Sequence, residues 1–173
     1  MTANTLPVIA PDTYRIDPAR SAVHCATKGM FGLATVRGTF TITSGTIMVA
    51  EDRECSRVEA TVDAASFHSG NKRRDADIAS KRFLNAAAHP EITFSSTSVQ
   101  REQSGGWSLT GVLTVCDVSR DVTLPVAVSL APGGIRFDTR TTIDRYAFGV
   151  TSSKGMVSRY SDLALRIHAT PAR

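Results

Sequence analysis

The sequence predicts an all-β, antiparallel fold with one short helical insert. Three observations carry that reading. Apolar residues recur with a period of two through much of the chain, turn signals separate those runs, and only Asn71–Leu84 looks helical.

The alternation is explicit. In Arg57–Asp63, Val58, Ala60 and Val62 alternate with Glu59, Thr61 and Asp63. In Trp107–Val115, Trp107, Leu109, Leu113 and Val115 share a face with Gly111. Val122, Leu124, Val126, Val128 and Leu130 share a face in the next run, and Ile135, Phe137 and Ile143 share one with Thr139 and Thr141. Near the end, Leu163, Leu165 and Ile167 alternate with Ala164, Arg166 and His168. Each pattern describes a strand with one apolar and one wetter face. Turn signals fall at Ser44-Gly45, Gly105-Gly106, Asp117 to Arg120 and Pro132-Gly133-Gly134. Their spacing predicts sequential hairpins. So many strands need a closed barrel or a sandwich to hide their edges. Pro125 inside a run marks an edge or bulge position.

The helical stretch is charged, with Ile78, Phe83 and Leu84 its few large apolar residues. It is too short to stand alone, so it must pack over something, and a barrel mouth is a natural place.

Bulk properties narrow the function classes. The 173 residues fit one domain with its own core. Residues 1–12, with Pro7 and Pro11, read as a flexible arm, and 13–171 as the domain. The N-terminus has no basic start followed by a long apolar stretch, so no signal peptide is expected and a cytoplasmic location is. No apolar run approaches the roughly 18 residues of a membrane helix. Cys25, Cys55 and Cys116 stand far apart and show no zinc spacing; they are expected as buried or half-buried free thiols. The net charge of +4 is interleaved with acids, and aromatics are 6%, which argues against a nucleic-acid surface.

No catalytic motif is visible: no G-x-S-x-G, P-loop, G-x-G-x-x-G or H-E-x-x-H. Neither a cofactor nor a metal is expected. His24, His68, His89 and His168 lack helical ligand spacing, and His24 and Cys25 fall on opposite faces of one strand. Ser66, His68 and Asp75 are close in sequence, which does not make a triad. They read as polar residues around a loop and a helix start. Arg145, after Asp144, reads either as a contact for an anionic head group or as a surface ion pair. Phe31 and Leu33, with Met30 before them, read as core, lid or ligand contact.

These pieces, in this order, resemble the YceI family of lipid- or polyisoprenoid-binding proteins, from about Tyr14 to Ala169. YRIDPARSAVH and MFGLATVRGTF resemble the family's opening, the second ending in V-x-G-x-F at Val36, Gly38 and Phe40. The most specific part is ASFHSGNKRRDADIASKRFLNAAAHPEITFSSTSV, with Ser66 to Gly70, Arg74-Asp75, Ser80 to Phe83 and Pro90 to Ser96. LTGVLTVCDVSRDVTLPV and IDRYAFGV complete the set.

The resemblance implies an extended, eight-stranded, lipocalin-like barrel around an apolar tunnel, with the insert around residues 71–84 capping one end. It implies non-enzymatic binding, storage or transport of a long-chain isoprenoid, isoprenoid quinone-like or fatty amphiphile. Met30, Phe31, Leu33, Phe40 and Phe67 become candidates for the lumen or mouth, as do Ile78, Phe83, Phe94 and Phe148. Arg74, Asp75 and Arg145 become head-group candidates, although Arg74-Asp75 and Asp144-Arg145 would equally pair with each other and fix the rim. A homodimer is compatible with the resemblance. Two residues depart from it: where relatives often carry an aromatic and then a histidine, this chain has Cys25 and Gly29. Two other readings stay open: a lipid-modifying enzyme using His24 or Asp75 in the lumen, and an interaction module with an exposed edge near Pro125.

Overall fold

The structure, a computed structural model, describes residues 9–172. The strands are β1 (Asp12–Ile16), β2 (Ala22–Gly29), β3 (Ala34–Phe40), β4 (Ile42–Val49), β5 (Arg57–Asp63), β6 (Glu91–Arg101), β7 (Trp107–Val115), β8 (Val118–Ala131), β9 (Gly134–Asp144) and β10 (Tyr160–Pro171). One α-helix, α1 (Lys72–Ala79), lies between β5 and β6.

All pairings between named strands are antiparallel, and together they close an eight-strand barrel. Ten strand segments make eight staves because two staves are split. β1 and β2 both pair with β10, β1 through Tyr14–Pro171 and β2 through Cys25–Leu163. β3 and β4 follow each other with only Thr41 between them; β3 pairs with β2, and β4 with β1 and β5. From β5 to β10 the order is a simple meander. Closure satisfies the backbone groups an open sheet would leave at its edges.

The period-two runs become β5, β7, β8, β9 and β10, with β5 and β7 at the expected bounds. Ser44-Gly45 is not a turn. Both residues lie inside β4, where the register shifts between Ile42 and Ser44. Glycine is required at position 45 by close approach: a Cβ there would collide with Ile16 and lie 2.9 Å from the Glu59 carbonyl oxygen. The β7–β8 reversal is made by Cys116 and Asp117, both at positive φ, inside a Val115–Val118 pair. Pro125 does sit at a local edge. β8 pairs with β9 only from Val126 onward, so its β9 side is unpaired up to and including the proline.

Two apolar clusters hold the ends. At the lower end, Ile9, Tyr14, Ile16, Val23, Ile42, Ile47, Ile135, Ile167 and Ala169 are all buried. The expected arm 1–12 lies largely outside the described residues; of its last members, Ile9 joins this cluster and Asp12 opens β1. At the upper end, Phe83, Phe148 and Val150 pack with Ile78, Leu113, Val118 and Ile143. Among the described residues no helix is long and apolar enough to cross a membrane.

Candidate ligand tunnel

Between the two clusters the barrel is hollow. The inward-facing positions of the alternating strands line a cavity of about 980 Å³. Val58, Ala60 and Val62 come from β5, Leu109, Leu113 and Val115 from β7, Val122, Leu124 and Val126 from β8, and Leu163, Leu165 and Ile167 from β10. Most of these apolar side chains are only half-buried, although they face the interior. They front empty space rather than each other. Protein cores are normally packed without voids larger than a water, and this one is as large as a sizeable ligand site, which spans roughly 300–1,000 Å³.

The polar groups inside are few. Thr27 and Ser161 share a hydroxyl–hydroxyl hydrogen bond of 2.7 Å. The Thr139 hydroxyl is buried without a partner among the described residues. Cys25 lines the cavity, half-buried, and burial pushes its thiol pKa up. Cys116 is also half-buried, but Cys55 is exposed, against the expectation for it, because it sits in the short turn Arg53–Cys55 outside the barrel wall.

The upper end is built differently from the strand wall. After β5 the chain leaves the sheet, and His68 forms an isolated bridge with Thr39 on the free edge of β3. Phe67 tucks under that bridge, 5.2 Å from the Phe40 ring. Helix α1 follows, capped by the Asn71 side chain, which accepts the Arg74 N–H at 3.1 Å. The helix stops at Ala79, earlier than the expected Leu84, because Ser80 turns extended and its hydroxyl donates back to the Asp77 carbonyl at 2.6 Å. Residues 81–84 are a turn that drops Phe83 into the upper cluster.

The sequence candidates fall into three groups. Met30, Phe40, Phe67, Ile78, Phe83, Phe94 and Phe148 line the cavity. Phe31 and Leu33 do not; both are exposed on the β2–β3 tip, because that hairpin extends past the rim. The charged candidates separate as well. Arg74 reaches the cavity mouth, together with Lys28, Arg73 and Arg82, which the sequence reading did not single out. Asp75 does not line it. Its carboxylate accepts the Ser69 hydroxyl at 2.6 Å and the Ser69 N–H at 3.0 Å, and the Ser69 hydroxyl bond is the main reason its pKa lies below the usual carboxylate range.

Arg145 borders the cavity but serves the backbone. It donates to the carbonyls of Ser158, Val150 and Val157 at 2.9, 2.9 and 3.1 Å. It holds the return loop from β9 to β10 in place, and burial lowers its pKa. Neither expected rim pair forms. Asp144 pairs instead with Arg159 at 2.7 Å, and that hydrogen bond holds its carboxyl below the ordinary range.

His24 is exposed on the outer face, opposite Cys25, as alternation requires. The Ser66 hydroxyl donates to the Asp63 carbonyl at 2.6 Å and accepts the Thr41 N–H at 2.8 Å, with no hydrogen bond to His68. Among the described residues no group of three His, Cys, Asp or Glu is placed to hold a metal.

The family model of the YceI-like domain matches residues 14–170. The chain belongs to the YceI family. A UPF0312 protein of Ectopseudomonas mendocina is 33% identical over 143 residues, covering 79% of this chain and 75% of that protein. Protein YceI of Salmonella arizonae is 30% identical over 143 residues, covering 79% of this chain and 74% of that one. Among solved structures, Burkholderia cenocepacia BcnA matches with a TM-score of 0.81 at 24% identity, over 88% of this chain and 98% of its own. A polyisoprenoid binding domain from Saccharophagus degradans, implicated in plant cell wall breakdown, matches with a TM-score of 0.65 at 12% identity, over 92% and 98%. These structural likenesses confirm the YceI barrel as the fold.

In this YceI chain the two departures noted in the sequence sit together on β2. Cys25 lies in the lumen and Gly29 at its neck. A Cβ at Gly29 would meet Val36 at 3.7 Å, an ordinary contact, so the missing side chain leaves room there.

Proposed function

We propose that this YceI protein binds and carries a long-chain amphiphile, an isoprenoid, isoprenoid quinone-like or fatty compound, without chemically changing it. The observation that carries the reading is the apolar cavity of about 980 Å³ in a barrel whose ends are otherwise packed. Each buried methylene contributes roughly 0.8 kcal/mol. A long chain therefore offsets the roughly 4–15 kcal/mol of association cost with hydrocarbon contact alone. A tube needs few polar groups for that, and this lumen has few.

The polar end of the ligand lies at the upper mouth in this proposal. Arg74, Arg73 and Lys28 supply charge-assisted donors there. Asp75 and Arg145 keep structural roles because their hydrogen bonds are already committed. The binding domain from Saccharophagus degradans supports the isoprenoid class by its name. The non-enzymatic part is supported by the lumen chemistry: among the described residues no histidine lines it, and the one carboxylate that does, Asp77, is 3.1 Å from Arg82. A cytoplasmic location and a homodimer belong to the same proposal, and fractionation and solution mass check them.

Native mass spectrometry with organic extraction, on protein purified without added lipid, tests the reading. A co-purifying amphiphile, or stoichiometric uptake of a prenyl lipid on titration, is the expected result. A clean apo mass with no uptake of prenyl or fatty chains overturns it.

A further inference from the structure

Of the seven exposed large apolar residues of the described chain, Met48 and Leu130 stand elsewhere on the barrel, but four gather in one place. Met30, Phe31, Leu33 and Met156 stand 63%, 73%, 86% and 49% exposed, and all four belong to loops at the upper mouth. The two loops are tied together: the Phe31 N–H donates to the Met156 carbonyl at 3.1 Å. Single exposed hydrophobics are ordinary on a soluble surface, whereas a cluster of them marks an interaction site.

The backbone of the β2–β3 tip takes up its conformation at a cost. Met30, Phe31 and Gly32 have φ of 49°, 58° and 86° in succession. Left-handed conformations are uncommon for bulky residues, and such strain concentrates at functional sites. Glycine at position 32 accepts that conformation freely; Met30 and Phe31 do not.

The charge around the tip is one-sided. Lys28, Arg73, Arg74 and Arg82 line the mouth itself. Lys72 and Lys81 flank it on the same insert, and Lys154 lies in the loop that carries Met156. Of these, Lys28, Lys72, Arg73, Arg74, Lys81 and Lys154 make no ion pair with another described residue. The two acids of α1 are engaged: Asp77 with Arg82, and Asp75 with Ser69. Apolar side chains projecting from a collar of unpaired cations are complementary to the interface of an anionic bilayer. A second copy meeting this surface tip to tip would face its own positive charge.

We infer that the tunnel mouth docks on an anionic lipid bilayer, with Phe31 and Leu33 entering the interface and the collar of Lys28, Arg73 and Arg74 held against the head groups. The purpose of the dock rests on the lipid-carrier reading: a long-chain amphiphile passes from bilayer to lumen without crossing water. The docking itself does not rest on that reading. It predicts binding that has an apolar part, removed by changing the tip, and an electrostatic part, removed by salt or by changing the collar.

The test is co-sedimentation of the full chain with phosphatidylglycerol/phosphatidylcholine vesicles and with phosphatidylcholine vesicles alone. Uptake of a fluorescent long-chain fatty acid in vesicle-free solution is measured in parallel. The wild type is expected to partition onto the mixed vesicles at least tenfold more than onto the neutral ones. Phe31→Ser/Leu33→Ser and Arg73→Glu/Arg74→Glu each lower that partition at least tenfold while the thermal midpoint stays near wild type. Retained uptake of the fatty acid by the tip variant separates docking from the lumen. Vesicle binding without fatty-acid uptake counts against the fatty-chain branch of the carrier reading and leaves the dock standing. Uptake without vesicle binding, or equal binding to neutral vesicles, overturns the dock and spares the carrier. A concentration-dependent dimer lost in the tip variant, with no vesicle binding, overturns it in favour of contact between copies.

Discussion

The two ends of this barrel are made from the same alternating strands and differ in almost everything else. At the lower end, branched side chains of β1, β4, β9 and β10 meet face to face, and Ile42 and Ile135 are each 2% exposed. At the upper end the staves part. β8 has no partner on its β9 side above Val126, β5 stops at Asp63, and loops with α1 fill the gaps. The lower end is stabilised by packing, the upper end by hydrogen bonds to loop carbonyls and by a few aromatic plugs. The hollow between them shows that alternation ensures only that side chains point inward; whether they meet depends on how far apart the staves stand.

The largest test of that contrast is truncation at equivalent inward positions. Ile135→Ala at the closed end is expected to cost about 4 kcal/mol of unfolding free energy. Leu124→Ala in the hollow costs about 1–2 kcal/mol, because the atoms it loses already face space. Urea titration checks both. Ligand affinity should reverse the order, falling for Leu124→Ala and holding for Ile135→Ala, whose side chain does not line the cavity.

Arg145 tests how the upper end is held. Arg145→Lys removes the fork that reaches three carbonyls, and an ammonium on a flexible stem does not replace it. A loss of about 3 kcal/mol is expected from those unpaired carbonyls. Hydrogen exchange should show protection lost across 145–159 and kept in β1 and β4. Loss of affinity for an anionic head group with unchanged stability would instead make Arg145 a ligand contact.

Gly45→Ala tests the closed end by overfilling. The added methyl meets Ile16 and the Glu59 carbonyl, at an expected cost of about 2 kcal/mol by denaturant unfolding. A neutral substitution would mean that the lower cluster is looser than its burial indicates.

The smallest effect is pH dependence at the mouth. Asp144 and Asp75 titrate below the ordinary carboxylate range, through Arg159 and Ser69 respectively. A carboxyl with a lowered folded pKa stabilises fully above its unfolded value of about 4 and loses that contribution as pH falls through the folded value. Acidification from about pH 5 should therefore loosen the Ser69–Asp75 and Asp144–Arg159 contacts first. Exchange at residues 68–75 and 144–159 should rise, and Asp144→Asn should remove the 144–159 part at neutral pH.

Much of this was legible in the chain because alternation is a local signal. The strands at Arg57–Asp63 and Trp107–Val115 appear with the bounds their patterns imply, and Pro125 marks a true local edge. What misled was also local. Ser44-Gly45 has turn chemistry, yet its glycine answers to Ile16, a residue 29 positions earlier in the sequence. Asp144-Arg145 and Arg74-Asp75 are adjacent in sequence, but neither pairs internally: Asp144 meets Arg159, Arg145 meets the Ser158 carbonyl and Asp75 meets Ser69. Phe31 and Leu33 read as lumen or mouth residues, because nothing in their neighbours shows that the hairpin outruns the barrel. The cations of the mouth are interleaved with acids along the chain, so no basic stripe was visible there.

The sequence by itself determined the strand type, the inward face of most strands and the family, because each depends on residue order within short windows. The tertiary structure decided the rest. Stave spacing left the lumen hollow, antiparallel closure put Lys28, Arg73 and Lys154 around one mouth, and hairpin length carried Phe31 beyond it. Each of these is a distance between segments far apart in sequence, set by where the barrel closes rather than by any run of residues within it.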